Sequence, residues 1–177
     1  MPIGRTFEES FSKAMRSMED GHIGVLVHDY DDLTKEELEE RLSRPTPERI
    51  AIICAALAQG VSPERICSLT SIDRFFIDRI ADIVSVERVV GEMQLMDIDA
   101  EAMRTIKRFG ISDAEIASLV GSDERFVRAY RLGLGVKPVF KTVDTCAAEF
   151  ASSTEYHYKT YEDGANEVST GDKKRIM

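Results

Sequence analysis

The chain has 177 residues, 43% of them hydrophobic and 31% charged, enough for one real core divided into lobes. The absence of Trp, with 7% aromatic residues and 5 Pro, excludes collagen-like, low-complexity and wholly disordered classes. Lys and Arg total 23 against 32 Asp and Glu, a net charge of −9, the wrong sign for a chain that lives on phosphate contacts. The acid excess sits at the front: residues 1–44 hold 11 acids and 6 bases, residues 45–135 hold 14 and 11, and residues 136–161 hold 3 of each. Such a front confers solubility. The apolar run Ile50–Leu57 falls far short of the ~20 residues of a membrane-crossing helix. Met1-Pro2-Ile3-Gly4-Arg5 leads into a polar amphipathic segment, not a signal peptide, so the expected location is cytoplasmic. Cys54, Cys67 and Cys146 are an odd number without a C-x-x-C pair and read as reduced thiols.

Thr6 followed by Glu9 is a capping box, and Phe7, Phe11, Ala14, Met15 and Met18 then fall on one helical face, with Gly21 as the stop. Residues 23–27 are extended in character. Thr34 with Glu37 is a second capping box opening a short helix that ends before Pro45. Thr46-Pro47 reads as an N-cap followed by proline at the first helical position, and the helix carries Ile50, Ile53, Cys54 and Leu57 to Gly60.

An internal repeat follows at a spacing of 50 residues. Gly60, Ser62, Ile66, Ser68, Leu69, Asp73 and Phe76 find identical residues at Gly110, Ser112, Ile116, Ser118, Leu119, Asp123 and Phe126. Each copy reads as helix, Gly stop, Ser cap, short helix, tight turn and longer helix. The last helix carries Ile72, Phe75, Phe76, Ile80, Ile83 and Val84 in one copy and Phe126, Val127 and Tyr130 in the other. After Gly133-Leu-Gly135 the run Val136–Val143 alternates, and Pro138 limits it to an edge strand or an extended connection. Residues 147–150 suit one helical turn, Tyr156, Tyr158 and Tyr161 punctuate an extended polar run, and residues 162–172 read as a flexible linker. The predicted fold is all-α: two small helical lobes related by the repeat, followed by an extended, mostly irregular C-terminal segment.

Several chemistries can be weighed on these residues. The second repeat copy has the spacing of a DNA-reading helix-turn-helix, which would present Arg125, Arg128 and Arg131 to the major groove. The same spacing builds the core of any compact helix pair, and Asp123 and Glu124 would face the phosphates. A thiol enzyme would use Cys146, but no spacing places His22, His28 or His157 as its base, so a small buried side chain is the expectation. His22 and His28 lack a third metal ligand, Gly133-Leu-Gly135 lacks the lysine and helix of a phosphate loop, and Asp29–Asp32 lacks calcium-loop spacing.

Lys137-Pro-Val-Phe-Lys-Thr-Val-Asp-Thr-Cys-Ala-Ala-Glu-Phe150, followed by Tyr156-His-Tyr-Lys-Thr-Tyr-Glu162, closely resembles the large subunit of carbamoyl-phosphate synthase at the end of its central oligomerisation domain. The stretch from Ile3-Gly4-Arg5-Thr6 to Ser17 resembles the last part of the preceding carboxyphosphate half, and Ile72-Asp73-Arg74-Phe75-Phe76 resembles the family's middle helix. His157 and Lys159 depart from the family's short aliphatic residue and serine, and residues 22–45 and 162–172 fit it loosely.

The resemblance implies an N-terminal helix at 1–21 continuing from that half and a helical oligomerisation domain at 22–135, with lobes near 46–95 and 96–135. It further implies a wrapping segment at 136–162 and, at 163–177, a linker with the start of the second ATP-grasp half, Arg175-Ile176-Met177 opening its first strand. The implied parent makes carbamoyl phosphate from bicarbonate, glutamine-derived ammonia and two ATP, for arginine and pyrimidine synthesis. Its ATP and Mg (or Mn) ligands lie in the flanking halves, so no catalytic, cofactor-binding or metal-binding residue is expected in this chain. The implied partners are the flanking halves, further copies of the subunit and the glutaminase small subunit, with no nucleic acid and no membrane. With its neighbours removed, segment 136–162 is expected to expose Phe140, Phe150, Tyr156 and Tyr161.

Overall fold

A computed structural model describes residues 1–18, 23–26, 28–147, 149–151 and 156–168, without the side chain of His28. The expected stop at Gly21, residue His22 and the expected strand opening at Arg175-Ile176-Met177 lie outside them. Eight α-helices and a two-stranded sheet are present among the described residues: α1 (Phe7–Arg16), α2 (Lys35–Leu42), α3 (Arg49–Ala58), α4 (Pro63–Thr70), α5 (Arg74–Gly91), α6 (Ala100–Arg108), α7 (Asp113–Val120), α8 (Glu124–Gly133), β1 (Val139–Thr142) and β2 (His157–Thr160).

The repeat is structural. Ser62 and Ser112 each accept the backbone N–H three residues on, opening α4 and α7. Asp73 and Asp123 each accept the N–H two residues on, opening α5 and α8. Between them the chain turns through a left-handed residue, Ser71 at φ 56° in one lobe and Gly121 at φ 64° in the other. The first lobe packs α2 to α5 around Leu38, Leu42, Ile53, Ile66, Ile77 and Ile83. The second packs α6 to α8 around Met103, Ile106, Ile111, Ile116 and Val127. The 18-residue α5 serves both, placing Ile77 to Val84 in the first core and Val90 in the second.

Several local expectations need correction. The Thr34–Glu37 box forms in full, but the Thr6 box forms by half: Thr6 Oγ1 accepts from Glu9 N, while Glu9 accepts from Arg5 N instead of the cap's own N–H. α3 begins at Arg49, not behind Pro47, because residues 46–49 close a turn in which Arg49 N donates to the Thr46 carbonyl. Phe75 and Phe76 stand outside the core, which takes the α5 stripe Ile77, Ile80, Ile83, Val84, Glu87 and Val90 instead. Their counterpart Phe126 is likewise exposed.

The C-terminal segment is a hairpin. β1 and β2 pair antiparallel from Val139 with Thr160 to Thr142 with His157. Where a helical turn is expected at 147–150, Ala147 has φ 50° and Glu149 N donates to the Cys146 carbonyl, while residue 148 lies outside the described residues. The described part of the expected linker is pinned to the hairpin: Phe140 N donates to Asn166 Oδ1, Glu167 N to the Phe140 carbonyl, and Thr142 N to Glu167 Oε2. Phe140, Phe150 and Tyr156 are exposed as expected, whereas Tyr161 is buried.

Candidate functional site

The polar chemistry of the chain concentrates where α1 meets both lobes and the hairpin. Toward the first lobe, the Phe7 ring lies 5.4 to 5.9 Å from the rings of Phe11, Phe75 and Phe76, and Glu8 Oε1 lies 3.1 Å from Arg79 Nη1. Toward the second lobe, Ser12 Oγ donates to the Phe109 carbonyl at 2.9 Å. Toward the hairpin, Thr160 Oγ1 donates to Glu9 Oε2 at 3.0 Å, and Lys13 Nζ donates to the Lys159 carbonyl at 2.7 Å and to Glu9 Oε1 at 2.8 Å. Glu8, Glu9 and Ser12 are therefore buried on a helix whose apolar residues alone had been expected to face inward.

A buried ion cluster fixes the second lobe. Asp113, at the start of α7, receives Arg131 Nε and Nη2 at 2.9 and 2.8 Å and Lys107 Nζ at 2.8 Å. Lys107 also donates to the Ile111 carbonyl and Arg131 to the Val136 carbonyl. The Tyr161 ring covers both cations, with its centre 5.2 Å from Lys107 Nζ and 5.4 Å from Arg131 Cζ, and those contacts bury it where exposure was expected. Burial raises the Asp113 carboxyl, but the bidentate Arg131 and the Lys107 ammonium overcome it and hold the group down at about 2, against an ordinary 3.8. Burial pushes Lys107 down to about 8 despite Asp113.

The folded value of Asp113 lies below the unfolded one, so its contribution to stability is present above pH 3.8 and is lost as pH falls toward 2. The urea midpoint should drop over that interval by more in the unsubstituted chain than in Asp113→Asn. Equal drops would remove Asp113 from the acid response.

Arg131 is spent on Asp113, which leaves Arg125 and Arg128 as the exposed cations of a three-arginine reading face. Cys146 is half-buried, not buried, with its Sγ 4.0 Å from Thr145 Oγ1, while His157 Nδ1 lies 3.4 Å from Thr142 Oγ1. Cys54 is fully buried on α3, and that burial, followed by the charge of Glu87, pushes its thiol up. Among the described residues no three His, Cys, Asp or Glu side chains are grouped to hold a metal ion, and no helix is long and apolar enough to cross a membrane. His22 and the His28 side chain lie outside the described residues.

Sequence reasoning read Glu9 only as a capping residue and passed over Glu87, Lys107, Asp113 and Glu115. The repeat held a usable signal for two of them, because Lys107 and Asp113, together with Arg131, stand where the first copy has Leu57, Pro63 and Ala81. An ion cluster thus replaces uncharged positions of the same fold.

Two helical lobes clamped on one N-terminal helix, with buried charges committed to internal contacts, define an all-helical structural module. The family model described as carbamoyl-phosphate synthetase large chain, oligomerisation domain, matches residues 1–135. The carbamoyl phosphate synthase large chain of Synechocystis is 43% identical over 178 residues, covering 100% of this chain and 16% of that protein. Those of Nostoc and Archaeoglobus fulgidus are 44% and 41% identical, covering 100% of this chain and 16% and 17% of theirs. The chain belongs to the carbamoyl-phosphate synthetase large-chain family, and the match to its oligomerisation domain runs over residues 1–135. It spans about one sixth of the length of these relatives.

Proposed function

We propose that the chain is a non-catalytic association and linking module inside an enzyme that makes carbamoyl phosphate from bicarbonate, glutamine-derived ammonia and two ATP. That enzyme would serve arginine and pyrimidine synthesis in the cytoplasm, with ATP and Mg²⁺ or Mn²⁺ held by ATP-grasp halves on either side of this module. The donor set described above offers no grouping for the metal, so no step of the reaction is assigned to these residues. Partners would be the flanking halves, a second copy of the large subunit and the glutaminase small subunit.

The family match over residues 1–135 carries this reading. The surface supports it: Phe75, Phe76 and Phe126 are 55%, 45% and 54% exposed, and two of the three occupy one repeat position on the two lobes. Aromatic side chains left in water at matching places mark surfaces meant to be covered. The test is Phe75→Ser with Phe76→Ser in a complete large subunit, followed by sedimentation and by the rate of each phosphorylation step. A smaller assembly with both rates unchanged is the expected result. Unchanged mass would reject this face, and loss of either rate at unchanged mass would place chemistry on the module.

A further inference from the structure

The two lobes also meet through a pair of buried carboxyls that the ion cluster does not involve. Glu87, on α5, is 1% exposed, and its two oxygens accept the backbone N–H groups of Val25 and Leu26 at 3.1 and 3.0 Å. Glu115, on α7, is 3% exposed. Its Oε2 accepts from Ser112 N at 3.1 Å and lies 3.5 Å from Arg16 Nη1. Its Oε1 is buried and takes no N–H or hydroxyl donor from the described residues. No space remains beside that oxygen on the side of Gly24, where an added Cβ would stand 2.7 Å from it. The first repeat copy has Arg65 at the position of Glu115, so the second acid is a feature of this joint and not of the repeat.

Two ionised carboxylates that interact in a buried joint are unfavourable, and so is a buried acceptor without a donor. One proton removes both problems. We propose that Glu87 is carried as the neutral acid and donates its O–H to Glu115 Oε1, so that a single shared proton latches α5, α7 and segment 23–26 together. The other titratable or charged groups facing the pair, among the described residues, are Arg16 from α1, against Glu115, and the Cys54 thiol from α3, near Glu87. Burial first, then the hydrogen bond and charge of Glu115, push the Glu87 carboxyl up to about 9, against the opposing pull of the Val25 and Leu26 N–H groups. The folded value lies above the unfolded 4.5, so folding takes up a proton between these values and the latch weakens as pH rises toward 9. Removal of the proton leaves two like charges at the joint and drives the lobes apart there.

The test is a carboxyl ¹³C NMR titration of the 177-residue chain with labelled glutamate. At neutral pH the Glu87 carbon is expected at the position of a carboxylic acid, and it should move to the carboxylate position in the alkaline range. In Glu115→Gln the new amide donates to Glu87, which should then appear ionised at neutral pH. A carboxylate position for Glu87 at neutral pH in the unsubstituted chain overturns the proposal, whether or not the variant folds. So does a Glu115→Gln chain in which Glu87 stays protonated.

Discussion

Asp113→Ala is expected to destabilise the chain by about 3–5 kcal/mol, because it strands two buried cations at once. The Lys107 and Arg131 side chains are 4% and 5% exposed, and both address the Asp113 carboxylate. With that carboxylate gone, Lys107 sheds its proton or the lobe loosens around it, and Tyr161 loses the ordered cations beneath its ring. Chemical denaturation followed by far-UV circular dichroism measures the loss. Replacing the whole cluster with the first lobe's residues, Lys107→Leu, Asp113→Pro and Arg131→Ala, removes every charge together and should cost less than Asp113→Ala alone. A larger loss in the triple variant would contradict this account of the cluster.

The second large effect belongs to Gly110. Its φ of +85° favours glycine, and an added Cβ would lie 3.0 Å from Glu9 Cα, from the Glu9 carbonyl oxygen and from Ser12 Cβ. Those are backbone and first-carbon atoms of α1, which cannot swing aside. The left-handed backbone costs roughly 1 kcal/mol and overpacking roughly 1–3 more, so Gly110→Ala should lose about 2–4 kcal/mol. Gly60 is the internal control. It has φ +81°, but its Cβ would meet only Lys35 Nζ, at 3.8 Å, so Gly60→Ala should pay the backbone term alone. Equal losses at the two glycines would mean that α1 is not held rigidly against the second lobe.

The caps, the repeat and the helical class were legible because each depends on short-range chemistry. A serine or aspartate at a fixed offset before an apolar run states where a helix begins, and Ser62, Ser112, Asp73 and Asp123 all do so. The left-handed turn after α7 was marked by Gly121, whereas its twin at Ser71 carried no such mark. The joint was not legible, because hydropathy patterning assigns every charge to solvent. Glu9, Glu87, Lys107 and Glu115 break that rule, each held by a donor or acceptor far away in sequence or on another element. Tyr161 illustrates the same limit: its burial depends on Lys107 and Arg131, 54 and 30 residues earlier in the numbering. Phe75 and Phe76 show the converse, since helical periodicity alone does not mark them as apolar residues left exposed.

The central claim is that the helical module associates through surface contained in these residues. It is tested most directly by light scattering of the purified chain over a wide concentration range. The expected mass climbs from the 19.9 kDa of one chain toward twice that value as concentration rises. A mass fixed at one chain at every concentration would contradict it and leave the module as a spacer between its neighbours.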